Sequence, residues 1–290
     1  MNVRLIPRLD IKGPNLVKGI HFEGLRVLGK PESFAKFYYE NGADELIYMD
    51  VVASLYGRNS LLDIVEKTAR EIFIPLTVGG GLRNVDDIRK VLRAGADKVS
   101  LNTAAIGRPE IVREASRAFG SSTIVVSIEA IRKADGQYEA YVDYGRQKTG
   151  VDAIKWALRA VELGAGELMV TSIDREGIGK GFDLDLIRRV SESVSVPVVA
   201  GGGAGAIQDI YDVIDQGRAN AVALASILHY NYIKLENSAN ADYSLEGNTE
   251  FLRRGMSYSK IQDASLLEIK TYLVERGVDC RLSQKEAAHG

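Results

Sequence analysis

"IPLTVGGGLRNVDDIRKVLRAGADKVSLNTA", residues 74–104, has a partner in the same chain: "VPVVAGGGAGAIQDIYDVIDQGRANAVALAS", residues 196–226. Each copy runs from a short apolar stretch through three glycines to an amphipathic segment, a glycine and a second apolar stretch. That order of patterns is strand, tight turn, helix, strand. A second pair keeps the same register: "GADELIYMDVVAS" from Gly42 answers "GAGELMVTSIDRE" from Gly164. Both pairs are offset by roughly 120 residues, so each copy spans about four β/α units. An open doubly wound sheet would also alternate strands and helices. One constant register across both segments favours two half-barrels closed into a (β/α)8 TIM barrel.

The rest of the chain fits that rhythm. Candidate strands are 4–9, 45–50, 74–79, 98–102, 124–128, 167–172, 196–201 and 221–226, with amphipathic helical patterns between them, several closed by glycine as a helix C-cap would be. After "VALASILHY" the pattern breaks. Residues 231–262 are rich in Asn, Ser, Tyr and Gly and read as an insertion before a last amphipathic helix at 265–277. Residues 1–282 are therefore expected to form a single barrel, and 283–290 a frayed tail.

Composition narrows the class of function. The 290 residues are 46% hydrophobic and 26% charged, which supplies ample core, and the net charge of −2 favours neither nucleic acid nor an anionic membrane as partner. The single cysteine, Cys280, excludes a disulfide framework and fits a reducing cytoplasm. No apolar run approaches the ~20 residues of a membrane helix, and the N-terminus lacks a signal-peptide pattern. Three scattered histidines suggest no metal site, and no cofactor is expected.

The chemistry is expected at the C-terminal ends of the strands, where such barrels carry their sites. Gly79-Gly80-Gly81 and Gly201-Gly202-Gly203 end the third and seventh strands, where bare backbone amides can approach an anion. Small or polar residues follow one strand later: Asn102-Thr103 and Ala225-Ser226. Two such cradles on opposite sides of one mouth suit a phosphorylated small molecule with a phosphate at each end. Asp10 ends the first strand and Glu129 the fifth, so the two carboxyls should face each other as an acid–base pair. Asp50 and Asp174 are as readily explained by structural roles. At the other end of the barrel, Arg4, Glu45, Lys98 and Glu167 each open a strand. They read as ion-paired surface residues or as a charged ring around the axis.

These residues closely resemble the cyclase subunits of imidazole glycerol phosphate synthase, the HisF family, through "LIPRLDIK", "LVKG", "TVGGGLRN", "GADKVSLNTAA", "GAGELMVTSIDREG", "AGGGAG" and "LASILHY". The resemblance implies a barrel that takes ammonia from a HisH-like glutamine amidotransferase docked on its N-terminal face. At the mouth the ammonia would meet a bisphosphorylated ribulosyl aminoimidazole carboxamide ribonucleotide, giving imidazole glycerol phosphate. Asp10 then matches the first catalytic aspartate, and Lys18 a loop lysine at the substrate. Gly81, Asn102, Thr103, Gly203, Ala225 and Ser226 match the phosphate binders. Arg4, Glu45, Lys98 and Glu167 match a charged gate for ammonia.

Departures from the family pattern gather at the mouth. Glu129 stands for the second catalytic aspartate, Arg8 is a cation two residues before Asp10, and Tyr144 replaces a small serine. Glu176 takes the place of an aspartate among the substrate contacts, and Ile178 that of a threonine. The extra methylene of Glu129 moves its carboxyl by about 1.5 Å, a displacement that can cost about a hundredfold in rate. The alternative reading is a HisF-like paralogue that channels ammonia to an acetamido sugar in surface-polysaccharide (O-antigen) biosynthesis. A third is a non-catalytic scaffold that activates its glutaminase.

Overall fold

The computed structural model describes residues 2–53, 61–236 and 261–282. In chain order the strands are β1 (Arg4–Lys12), β2 (Asn15–Ile20), β3 (Glu23–Gly29), β4 (Leu46–Asp50), β5 (Leu76–Gly79), β6 (Lys98–Leu101), β7 (Ile124–Arg132), β8 (Tyr138–Val142), β9 (Gln147–Asp152), β10 (Glu167–Ser172), β11 (Val198–Gly201) and β12 (Ala221–Leu224). Eight of them run parallel in the order β10-β11-β12-β1-β4-β5-β6-β7, and β7 pairs with β10 to close the cylinder. The expected (β/α)8 barrel is present.

The helices are α1 (Pro31–Glu40), α2 (Leu62–Ala69), α3 (Val85–Arg93), α4 (Thr103–Gly107), α5 (Glu110–Phe119), α6 (Ala153–Glu162), α7 (Leu184–Ser193), α8 (Ile207–Asp215), α9 (Ser226–Glu236) and α10 (Leu266–Val274). Their starts follow from side-chain caps. Asn84, Asp152 and Asp183 each accept a backbone N–H three residues on, and Ser265 forms a reciprocal capping box with Glu268. Gly42, Gly95 and Gly164 follow α1, α3 and α6 with positive φ, as the sequence pattern predicts.

Alternation along each strand sorts residues between two cores. Leu5, Leu9 and Ile11 of β1 face outward into the large core shared with the helices, and each such side chain contributes about 1.5–3 kcal/mol by burial. Ile6, Ile47, Met49, Val125, Met169 and Val199 fill the lumen. Arg8 and Asp10 share that inward side, in register with Ile47 and Met49 of β4.

Three expectations need correction. β1 does not end at Asp10 but continues to Lys12, and β7 continues past Ile128 to Arg132. Each then folds back as an antiparallel hairpin, β2–β3 on β1 and β8–β9 on β7, setting Asp10 opposite Val17 and Glu129 opposite Tyr141. Lys18 accordingly lies in a strand, β2, and not in a loop. Of the expected insertion, residues 231–236 continue α9, while 237–260 lie outside the described residues, as does the tail 283–290. No helix among the described residues is long and apolar enough to cross a membrane.

Candidate functional site

The two ends of the lumen carry different chemistry. At the N-terminal end Arg4, Glu45, Lys98 and Glu167 form one closed cycle of ion pairs. Arg4 donates to Glu45 at 2.6 Å and to Glu167 at 2.5 Å, and Lys98 to the same two carboxylates at 2.9 and 3.0 Å. The signs alternate, so each charge is flanked by two opposite ones and the ring is neutral. Burial opposes the charge on Arg4, but Glu167 and Glu45 outweigh it and raise its pKa. Above the ring, the Ser100 and Ser127 hydroxyls are buried on the inward faces of β6 and β7 without a hydrogen-bond partner among the described residues.

At the C-terminal mouth the cradle residues separate into two cavities. The larger, about 150 Å³, is lined by Gly80, Gly81, Asn102, Thr103, Asp50, Arg83, Glu129 and Tyr144 among others. The smaller, about 20 Å³, is lined by Arg8, Lys18, Glu176, Gly202, Gly203, Ala225 and Ser226 among others. Glycine is required here sterically. A Cβ on Gly80 would come within 2.3 Å of the Asp50 carbonyl oxygen, and one on Gly203 within 2.3 Å of the Gly181 oxygen. Gly80, Gly81, Gly202 and Gly203 all adopt positive φ.

In the larger cavity the Asn102 amide donates to the Tyr141 carbonyl at 3.3 Å, leaving its own oxygen without a partner among the described residues. Thr103 Oγ1 accepts from the Asp143 N–H at 3.1 Å. In the smaller cavity Lys18 Nζ is bonded to Glu176, so a carboxylate already neutralises the cation expected to meet a phosphate. An anion entering that cradle meets a cation already paired with Glu176.

Between the cavities lies a buried cluster. Arg8 Nε donates to Asp10 Oδ1 at 2.9 Å, and the Tyr144 hydroxyl donates to Asp10 Oδ2 at 2.8 Å. Arg8 reaches on to Thr171 Oγ1 of β10 at 3.4 Å, while its Nη2 has no partner among the described residues. Burial works against the Arg8 charge, but Asp10, Glu176, Tyr144 and Glu129 outweigh it and keep the guanidinium protonated. Burial, then the Asp10 charge, raises the Tyr144 phenol well above its ordinary value, so it remains a donor. Glu129 is pushed up to about 7, chiefly by burial. Arg8 and the Gly145 N–H pull it down; Asp10 and Glu176 push it further up.

The two hairpins build this cluster. Phe22, at the tip of β2–β3, packs on Tyr144 with ring centroids 4.2 Å apart and lies 5.4 Å from the Arg8 guanidinium carbon. Both tips hold non-glycine residues at positive φ: His21 and Phe22 on one, Asp143 and Tyr144 on the other. Such conformations cost on the order of 1–3 kcal/mol each and persist where surrounding contacts demand them. Here the contacts are Phe22 on Tyr144 and the phenol on Asp10.

A model of the family described as "Histidine biosynthesis protein" matches residues 4–234. The chain belongs to that family. It is 57% identical over 208 residues to the imidazole glycerol phosphate synthase subunit HisF of Legionella pneumophila, covering 72% of this chain and 98% of that one. It is 46% identical over 232 residues to the HisF subunit of Alkaliphilus metalliredigens (strain QYMF), covering 80% and 92%.

Within this HisF-like chain, two residues the sequence reading passed over support the site. His229 is fully buried, and burial drives its pKa down to about 3, so it is neutral. Its Nε2 lies 3.1 Å from the Arg8 carbonyl oxygen, which can only accept; Nε2 therefore carries the proton, and Nδ1 accepts from Tyr38 at 2.6 Å. His229 thus pins the backbone that carries Arg8. Asp143, next to Tyr144, ties the β8–β9 turn to Thr103. Asp50 and Asp174 each accept a hydrogen bond from the backbone, from the N–H of Val52 and of Arg132.

Proposed function

We propose that the chain is an ammonia-using cyclase subunit of the imidazole glycerol phosphate synthase type, acting on a bisphosphorylated ribulosyl aminoimidazole carboxamide ribonucleotide in histidine biosynthesis. The observation that carries this reading is the placement of two glycine-walled cavities on either side of a buried carboxyl cluster. One contains Gly81, Asn102 and Thr103, the other Lys18, Gly203, Ala225 and Ser226. A ligand with a phosphate in each cradle would lay its middle across Asp10 and Glu129.

Addition of ammonia to a carbonyl and the later loss of water need groups that give and take protons, and the carboxyl cluster that holds Asp10 and Glu129 supplies them. At the far end of the lumen the cycle of Arg4, Glu45, Lys98 and Glu167 serves as the entrance for ammonia. The unpartnered Ser100 and Ser127 hydroxyls offer hydrogen bonds to a small polar molecule on the way. The partner is a glutamine amidotransferase on the N-terminal face. Phe73, 81% exposed just before β5, supplies an apolar contact on that face.

The second reading, an acetamido-sugar acceptor, draws its support from the mouth. Arg8 and Tyr144 occupy both oxygens of Asp10, and Glu176 engages Lys18 in the second cradle. Calorimetric titration with the bisphosphorylated ribonucleotide tests the choice. The first reading expects one molecule bound per chain and a Kd raised about tenfold in Ser226→Ala, the loss of one hydrogen bond to a charged group. Absence of binding contradicts it.

A further inference from the structure

Asp10 and Glu129 hold corresponding places on opposed strands but are not equivalent. Both are 2% exposed, but each carboxylate oxygen of Asp10 already accepts a hydrogen bond and Asp10 borders neither cavity. Glu129 borders the larger cavity, and its Oε2 has no hydrogen-bond partner among the described residues. Arg8 borders the smaller one, and its Nη2 is likewise without a partner. Within the central cluster, the polar atoms left over for a substrate are therefore Glu129 Oε2 and Arg8 Nη2.

We propose that Glu129 alone transfers protons at this mouth, that Arg8 Nη2 binds the oxygen of the carbonyl under attack, and that Asp10 and Tyr144 are positioning residues acting through Arg8. The proposal rests on the ammonia-addition reading above and assigns its labour. As the nitrogen lone pair forms the new C–N bond, the π pair of the C=O bond moves onto oxygen, beside the guanidinium. Glu129 gives its proton to that oxygen and, as carboxylate, takes one from the new ammonium nitrogen. The product is a neutral carbinolamine, and Glu129 ends in the state in which it began. Asp10 borders neither cavity and holds Arg8 on one oxygen and Tyr144 on the other, which places it to orient the guanidinium and not to meet the substrate.

The charged and titratable groups around Glu129 fit this role. Arg8 and Asp10 face it from β1, Tyr144 from the β8–β9 turn and Glu176 from the segment after β10; Asp50 and Arg83 share its cavity. Burial outweighs the pull of Arg8, leaving a carboxyl that exchanges a proton near neutrality, where a general acid–base works best.

Carbon-13 NMR of the full chain labelled at the Glu and Asp carboxyls tests the assignment without substrate. One glutamate should titrate near neutral pH and be missing in Glu129→Gln. Its midpoint should fall in Asp10→Asn, which removes a negative neighbour, and rise in Arg8→Gln, which removes a positive one. An aspartate that titrates there instead, and is missing in Asp10→Asn, overturns the proposal. With ammonium salt and the ribonucleotide, Glu129→Gln should lose at least about a hundredfold in kcat. Asp10→Asn should remain slow but active, keeping the neutral limb of the pH profile. Loss of that limb in Asp10→Asn with its survival in Glu129→Gln would also overturn it. A wild-type protein that does not turn over this substrate contradicts the proposed function, and the NMR titration still decides the roles.

Discussion

Tyr144 and Asp10, 134 residues apart in sequence, are joined by a buried 2.8 Å hydrogen bond from phenol to carboxylate. The bond ties the hairpin on the fifth barrel strand to the first barrel strand across the mouth. Tyr144→Phe removes the donor and leaves Asp10 Oδ2 buried and unpaired, at a cost of about 1–3 kcal/mol. Urea denaturation should show a lower midpoint with an unchanged m-value.

The raised pKa of Glu129 has a consequence for stability. In the unfolded chain the carboxyl titrates near its ordinary value of 4.5, and in the folded chain it is pushed up to about 7. Between those values the folded state binds more protons, so the stability contributed by protonated Glu129 is complete below about pH 4.5 and is lost as pH rises through about 7. The loss is on the order of 3 kcal/mol. The difference in unfolding free energy between wild type and Glu129→Gln should change in that direction over this window, measured by denaturation at a series of pH values.

Arg4 holds two carboxylates of the N-terminal ring, which without it retain only Lys98. Arg4→Ala should open the ring and lower turnover driven by glutamine through a partner subunit by about tenfold, equivalent to about 1.4 kcal/mol. Turnover with added ammonium salt should be retained, because that nitrogen can enter from the mouth. Equal loss with both donors would remove the gate role.

Lys270 of α10 is fully buried, and its ammonium is satisfied by the Gly42 and Arg281 carbonyls and by Asp44 at 3.0 Å. Asp44 in turn accepts from the Leu5 N–H of β1. Lys270→Met should cost about 3 kcal/mol, since it leaves the Gly42 and Arg281 carbonyls without their donor and Asp44 with only the exposed Arg281, at 3.1 Å, as a cation among the described residues. A thermal melt should register it, with the mouth chemistry unchanged once the protein is folded.

How much of this was legible in the sequence follows from the range of each interaction. The barrel was readable because its β/α units are local and the half-barrel repeat keeps one register. The shared face of Arg8 and Asp10 was readable because strand side chains alternate. The hairpins were hidden. The stretch "KGPNLVKGIHFEGL" reads as a loop by its Gly and Pro, and its tip uses His21 and Phe22, residues that do not advertise a positive φ. The same holds for Asp143 and Tyr144. The pairing of Lys18 with Glu176 and the clamp of Tyr144 on Asp10 depend on those tips, so neither could be seen from spacing. Nothing in the spacing sets His229 apart from the other two histidines, because its bond to the Arg8 carbonyl spans 221 residues.

The central claim is that this mouth joins ammonia to a bisphosphorylated ribonucleotide. Purified chain with ammonium salt and that substrate, followed for imidazole glycerol phosphate, tests it most directly. The account predicts product in the absence of any partner and faster, glutamine-dependent product when a HisH-like glutaminase is added. No product under either condition would contradict it.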